Sequence, residues 1–251
     1  MKGLIYRELY LIRKTIVITL LVYFIFVAMM SLVCISTYAG NLKGVDGVIE
    51  IFYPQAYFYA ACIALVGMGY GHNDIIQKDY QSRWQLFSYT LPVSDRKLIA
   101  SKFIVRSILL LAGLVLAILA ELIIAAAAKM PVSVNHIKNI LIIGAVMTVG
   151  FSEIPLMLRF KNQNKGAAVT FLAMSPFMAA FVYFAWKFMK FCISEAERIY
   201  GEANDEAVTK VLTPYMDKAR EICFIIAPFF VVGVIALLYV WSLKEYRRRR
   251  Y

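Results

Sequence analysis

The sequence predicts an all-α integral membrane protein with six transmembrane helices. Of the 251 residues, 61% are apolar and 17% are charged, whereas soluble domains average about 45–50% apolar and about 25% charged residues. Six windows along the chain are nearly free of charge and approach the roughly 20 apolar residues that a bilayer-crossing helix needs. These windows occupy about half of the chain. We therefore expect a single transmembrane domain, residues 1–251, without a separate soluble domain.

The first element is a basic amphipathic segment, residues 1–14, which we expect to form an interfacial helix before the first span. That span's apolar run is too long for a signal peptide, and no small-x-small cleavage site follows it before the next span. We therefore expect it to remain in the protein as a transmembrane helix. The six predicted spans are about 16–38, 52–71, 104–128, 138–158, 167–187 and 222–243.

The distribution of basic residues predicts that both termini are cytoplasmic. Six spans place the two termini on the same side, and 18 of the 27 lysines and arginines fall on that side. Cytoplasmic loops are enriched in lysine and arginine, which face anionic lipid headgroups. The net charge of +11 is thus typical of a membrane-facing cytoplasmic surface and does not indicate nucleic-acid binding. We expect a multi-pass protein of the plasma membrane.

A short cytoplasmic helix is predicted between spans two and three, at residues 74–90. Apolar side chains recur there at helical spacing, and these are Ile76, Tyr80, Trp84, Phe87 and Leu91. Pro92 ends this helix, and Ser94 with Asp95 begins the next as N-cap and first-turn acid. The periodicity leaves two interpretations open. The helix either anchors the protein in the headgroup region or presents an aromatic surface to a cytoplasmic protein.

Two acidic residues, Glu121 and Glu153, lie inside predicted spans. A carboxylate in hydrocarbon costs several kcal/mol, so such residues usually face protein or a water-filled path. Arg106 and Arg159 are candidate partners for Glu153. For each acid, one interpretation is an intramembrane ion pair or a protonated carboxyl that holds the helix bundle together. The other is that the acid lines a transport path.

An external amphipathic helix is predicted between spans five and six, at residues 192–213. Its apolar residues fall on one face and its acidic residues on the others, and it is expected to end near Pro214. It would cap the bundle at the outer leaflet or act as a gate. Cys192 and Cys223 flank this helix, and a disulfide between them cannot be inferred from their spacing.

No motif of enzyme chemistry occurs in the chain. The sequence lacks a GxxxxGK[ST] phosphate loop, an HExxH pair and a GxSxG elbow. His72, Asp74 and Asp79 are more typical of a solvated surface helix than of a metal site. We therefore expect no catalytic residue, no metal site and no ATP-binding site in this chain.

Three features together indicate a family: the six-span layout, the basic segment 1–14, and an early cytoplasmic helix. That helix ends in Ser88-Tyr89-Thr90-Leu91-Pro92-Val93-Ser94, followed by Arg96-Lys97 and Ser101-Lys102-Phe103. Over its whole length the chain resembles an ABC-2-type exporter permease. It is similar in particular to bacterial permeases that export phenol-soluble modulins and other antimicrobial or toxin peptides.

The resemblance implies that residues 74–90 form a coupling helix that seats in a separate ABC ATPase. The implied docking residues are Asp74, Asp79, Tyr80, Arg83, Trp84 and Phe87. A candidate second docking loop is formed by Arg159, Lys161 and Lys165. The residues Glu121, Glu153 and Arg106 would line the translocation path or form an intramembrane ion pair.

The resemblance also implies the partners. Two ATPase chains would bind ATP and Mg²⁺, and a second permease, identical or similar, would complete the path in the membrane. The implied cargo is an amphipathic toxin or antimicrobial peptide, and the implied direction is out of the cell. Two alternatives stay open, an ATP-independent transporter with Glu121 or Glu153 as its proton site and a membrane protein without transport function.

Overall fold

The computed structural model describes residues 1–39, 45–70, 79, 84, 88, 90, 93–160, 163–201 and 204–250. Regular structure within these residues is helical throughout, which confirms the predicted all-α class for this part of the chain. The long helices are α1 (Lys2–Ala39), α2 (Val45–Tyr70), α3 (Asp95–Ala127), α4 (Val134–Met147), α5 (Glu153–Phe160), α6 (Gln163–Tyr200) and α7 (Asp205–Arg250). A 3-10 segment, Thr148–Ser152, joins α4 to α5.

Four stretches of the described residues are long and apolar enough to cross a membrane. They are Lys2–Thr37, Asp95–Ala127, Val134–Phe160 and Asp205–Arg248. These stretches correspond to the first, third, fourth and sixth predicted spans. The second and fifth predicted spans, 52–71 and 167–187, fall on α2 and α6. The six-span count and the cytoplasmic position of the termini stay predictions.

The N-terminal segment 1–14 is not a separate helix. It forms one continuous helix, α1, with the first predicted span. The physical reason is local, because the sequence from Leu4 to Ala39 contains neither glycine nor proline and nothing interrupts the hydrogen-bond ladder.

The predicted external helix 192–213 requires a similar correction. Its first part is the end of α6 and its second part is the start of α7. Gly201 has φ +76°, the left-handed conformation that terminates helices. The side-chain oxygen of Asn204 then accepts a 2.8 Å hydrogen bond from the Ala207 N–H and caps α7. Pro214 lies inside α7 and does not end it.

The predicted fourth span, 138–158, is interrupted near its middle. The 3-10 segment Thr148–Ser152 separates α4 from α5, and Pro155 is the third residue of α5. Because proline has no N–H, the carbonyl of Phe151 cannot form its usual helical bond with residue 155. This accounts for the tightened turn directly before α5.

The core is centred on α1, α2 and α3 and continues into buried side chains of α4, α5 and α7. Helices α2 and α3 make the most extensive contact, α1 packs on both, and α4, α5 and α6 pack on α7. Ala60 and Ala64 of α2 and Ala117 of α3 are fully buried. A Cβ atom at Gly113 would lie 3.0 Å from the carbonyl oxygen of Ala64. Small residues therefore allow the two helix backbones to approach closely, as in membrane helix pairs.

Candidate functional site

A cluster of four charged side chains joins α1, the segment between α2 and α3, and α3 itself. Lys102 Nζ lies 2.6 Å from Asp79 Oδ2 and 3.0 Å from Glu8 Oε1. Arg7 donates to Asp79 Oδ1 at 2.5 Å and contacts Glu8 Oε1 at 3.4 Å. Glu8, Asp79 and Lys102 are each at least nine-tenths buried. Within the described residues, the cluster contains two positive and two negative charges, which compensate one another.

Trp84 and Ser88 attach the same segment to the bundle at two more points. The guanidinium carbon of Arg7 lies 3.8 Å from the centroid of the half-buried Trp84 ring, a cation–π contact. Ser88 Oγ lies 3.2 Å from the hydroxyl of Tyr246, a buried residue near the end of α7. Asp79, Trp84 and Ser88 therefore contact three different helices of the bundle.

These positions change the interpretation of the predicted docking residues. The Asp79 carboxylate is turned into the protein, so the structure does not present it as a surface ion-pair partner. Trp84 is partly covered by Arg7. The remaining predicted docking residues, Asp74, Tyr80, Arg83 and Phe87, lie outside the described residues.

Of the three residues of the predicted second docking loop, only Arg159 has a side chain that the structure describes. Arg159 is exposed at the end of α5, with its guanidinium carbon 5.6 Å from the Phe160 ring centroid. Lys161 lies outside the described residues. Lys165 lies in α6, but its side chain is outside the description.

Glu153 contacts Arg106, as one of its two candidate pairings anticipates. Arg106 NH2 lies 3.4 Å from Glu153 Oε2, and Arg106 NH1 donates to the carbonyl of Gly150 at 3.1 Å. The arginine is 5% exposed and comes from α3, whereas Glu153 is the first residue of α5. The pair therefore holds the interrupted helix against α3 at the 3-10 segment.

Glu121 forms a second buried polar site, in which α2, α3 and α4 meet. It is 0% exposed, accepts a hydrogen bond from the Tyr53 hydroxyl and lies 2.9 Å from His136 Nδ1. The His136 ring stacks on Tyr57 with centroids 4.0 Å apart. The second carboxylate oxygen of Glu121 has no hydrogen-bond partner among the described residues. Glu121 thus connects α2, α3 and α4 near the C-terminal end of α3, whereas Lys102 lies near the N-terminal end of the same helix.

Sequence reasoning missed the partners in both sites, namely Arg7, Glu8, Lys102, Tyr53 and His136. One signal was available for Glu8, which is the only acidic residue before Asp46. Another was His136, one of only two histidines, placed just before the predicted fourth span. Neither signal identifies which residue lies opposite.

The described part of the chain contains no candidate metal-binding site. It holds no group of three or more histidine, cysteine, aspartate or glutamate residues that could bind a metal ion. Cys192 is buried, Cys223 is exposed, and both carry free thiols.

Comparison with known proteins identifies the family. A family model described as "ABC-2 family transporter protein" matches residues 47–247, which is most of the chain. No curated protein and no solved structure matches it. The matched region includes α3 to α6 entirely, most of α2 and α7, and the segment that contains Asp79 and Trp84. The chain belongs to the ABC-2 family of transporter proteins.

Proposed function

We propose that this chain is the transmembrane permease subunit of an ATP-driven exporter. The observation that supports this proposal best is the family match over residues 47–247. Membership implies a transmembrane subunit without its own catalytic site, working with an ABC ATPase. In the proposed arrangement the helices supply six crossings, of which α4 and α5 together form the fourth. The other five crossings are α1, α2, α3, α6 and α7, and both termini are cytoplasmic. Two ATPase chains bind ATP and Mg²⁺.

The proposed ATPase-docking element is the segment of residues 74–90. The buried cluster of Arg7, Glu8, Asp79 and Lys102 supports this role, because it connects the segment to α1 and α3 with charge-assisted contacts. A push on the segment would thus move the cytoplasmic ends of two helices together. Asp79 acts as an internal anchor in this proposal, and residues 159–165, where α5 ends and α6 begins, are a second contact with the ATPase.

The proposed cargo is an amphipathic toxin or antimicrobial peptide, and the proposed assembly contains two copies of this permease. The cargo rests on the resemblance of the sequence to peptide exporters. The second copy agrees with the exposed apolar side chains of α6 and α7, such as Phe171 and Phe229, both 76% exposed. Such surfaces fit lipid or another membrane helix.

Gentle affinity purification of the full-length chain from its native membranes tests the proposal. We expect an ABC ATPase to co-purify in a one-to-one ratio with the permease. Trp84→Ala should reduce the recovered ATPase while leaving membrane insertion intact, because the segment loses its contact with Arg7. Lys97→Ala, at an exposed position in the first turn of α3, is the matched control and should retain the ATPase.

Two results would contradict the proposal at different levels. Normal ATPase association and normal export in Trp84→Ala would remove the docking role from this segment. Reproducible absence of any ATPase, with the permease folded, would overturn the exporter function and favour the ATP-independent alternatives.

A further inference from the structure

An apolar cavity of about 580 Å³ lies between α3, α4 and α7. Its walls include Leu110, Leu114, Phe151 and Val231. Among the described residues, no charged side chain lines it, and the side-chain hydroxyls at its wall are those of Ser107 and Thr148. The Thr148 hydroxyl already donates to the Ala145 carbonyl at 2.6 Å. The volume is within the roughly 300–1,000 Å³ of typical ligand pockets.

The lining restricts what can occupy this cavity. A stable buried water needs two to four polar partners, and this lining offers few. Apolar side chains that lack neighbours on one side lose dispersion contacts, so leaving a cavity of this size unfilled is unfavourable. The occupant therefore has an apolar surface of its own.

The position of the cavity identifies hydrocarbon as the material that reaches it. Leu111 and Ile225, which line the cavity, are 60% and 64% exposed, so the cavity reaches the outer surface of the bundle. On α3 it lies between two ionisable residues, Arg106 and Glu121, which are about 22 Å apart along the helix at about 1.5 Å per residue. This interval is inside the roughly 30 Å hydrocarbon core of a bilayer.

We propose that the cavity binds one acyl chain of a bilayer lipid. This proposal depends on the membrane location of the helices and is independent of the ATPase partner. Binding here is an exchange between hydrocarbon environments, so it is favoured by filling the void with dispersion contacts.

Two walls of the cavity are irregular helices. Thr148 and Phe151 belong to the 3-10 segment, and Pro228 lies inside α7. Because Pro228 has no N–H, the carbonyl of Phe224, which also lines the cavity, lacks its helical partner. Such positions are where helices bend. A lipid chain can enter or leave as these walls move, whereas a packed side chain could not.

Photolabelling of the full-length protein in phosphatidylglycerol vesicles tests the site. The probe is a phosphatidylglycerol that carries a diazirine midway along one acyl chain, and labelled peptides are mapped by mass spectrometry. We expect label concentrated on residues 107–114, 148–151 and 224–235. Val231→Trp fills the cavity and should remove most of that label. Val232→Trp is the matched control, because the neighbouring valine is 69% exposed and does not line the cavity.

A second pair of variants, with smaller substitutions, tests the same site if the Val231→Trp protein does not fold. Ala227→Leu adds bulk at the cavity, whereas Ala236→Leu adds the same bulk at an exposed position of α7 outside the cavity lining. We expect the label to fall in the first variant and to stay unchanged in the second.

Three outcomes would overturn the proposal. Equal labelling of the filling variants and their controls would show that the lipid only covers the outer surface. Label that is displaced by an added amphipathic peptide, and not by excess unlabelled lipid, would assign the cavity to cargo. Cross-links between two chains through residues 224–235 would place a second permease there.

Discussion

At the scale of single residues, the buried cluster around Lys102 joins four charged side chains from α1, α3 and the segment between α2 and α3. In the part of the chain that the structure describes, its two cations and two anions come from positions 7, 8, 79 and 102 and compensate one another. A buried ion pair is not by itself a strong source of stability, because both ions lose hydration. Removing one member is costly, however, since the others keep an uncompensated charge.

Asp79→Asn should therefore destabilise the protein while changing its volume very little. We expect the free energy of unfolding to fall by about 3 kcal/mol, or the Tm by about 6–12 °C for a chain of this size. Thermal unfolding in detergent measures this shift. Asp217→Asn is the control, because Asp217 is about half exposed in its pair with Arg220, and it should stay within about 0.5 kcal/mol.

The double variant Asp79→Asn with Lys102→Met tests whether the cluster acts as a unit. We expect the double variant to lose less stability than the sum of the two single variants, because it restores charge balance. Simple additivity would mean that Asp79 and Lys102 are not coupled, and it would remove the support for a mechanical link through this cluster.

Glu121 should act as a brace between helices. Glu121→Ala leaves the Tyr53 hydroxyl and His136 without their shared acceptor, and we expect a loss of about 2–3 kcal/mol. Glu121→Gln keeps an acceptor for Tyr53 and should lose less. Unfolding midpoints in detergent and export assays measure both effects. Glu121→Gln that abolishes export at unchanged stability would instead indicate a proton site.

At the scale of helices, close approach between neighbours depends on small residues. A Cβ atom at Gly67 of α2 would lie 2.4 Å from Thr19 Cγ2 of α1, which is closer than the two atoms can approach. The Thr19 side chain is β-branched and has few alternative rotamers. One helix must therefore shift if Gly67 is enlarged.

Gly67→Ala should destabilise the packing of α1 on α2 by about 1–3 kcal/mol. Adding Thr19→Ala removes the clashing methyl group and should recover most of that loss in a thermal unfolding measurement. Gly233→Ala is the control, because nothing lies within 4 Å of its added Cβ, and there the better helix propensity of alanine should stabilise α7 by up to about 1 kcal/mol. Failure of the Thr19→Ala rescue would contradict the contact.

Helix type was predictable from sequence, but helix ends were less so. Hydropathy and 3.6-residue periodicity place apolar helices correctly because both signals are local. The predicted boundary between residues 14 and 16 was wrong because a change in polarity does not interrupt the backbone of α1. The predicted stop at Pro214 was wrong because that proline is accommodated within α7, whereas α6 ends at Tyr200 before the left-handed Gly201 and Asn204 caps the start of α7.

At the scale of the whole molecule, the six-span topology makes a direct prediction. In a variant without the native cysteines, Thr209→Cys should react with a membrane-impermeant maleimide on intact cells, because position 209 is exposed near the start of α7. Lys97→Cys, which is also exposed, should react only after permeabilisation. The positive-inside distribution of charge gives this orientation. Reversed labelling would place both termini outside.

Local patterns in the sequence determined the helical membrane class and the resemblance to ABC-2 permeases, which the family match confirms. They also indicated that Glu121 and Glu153 face protein or a water-filled path, because hydrocarbon does not solvate a carboxylate. Only the tertiary structure decided which residues these and the other buried charged side chains contact. Glu8 and Lys102 are 94 residues apart in the chain, and Tyr53 and Glu121 are 68 apart. Such pairings depend on how whole helices pack, and a periodic pattern within one helix contains no information about its neighbour.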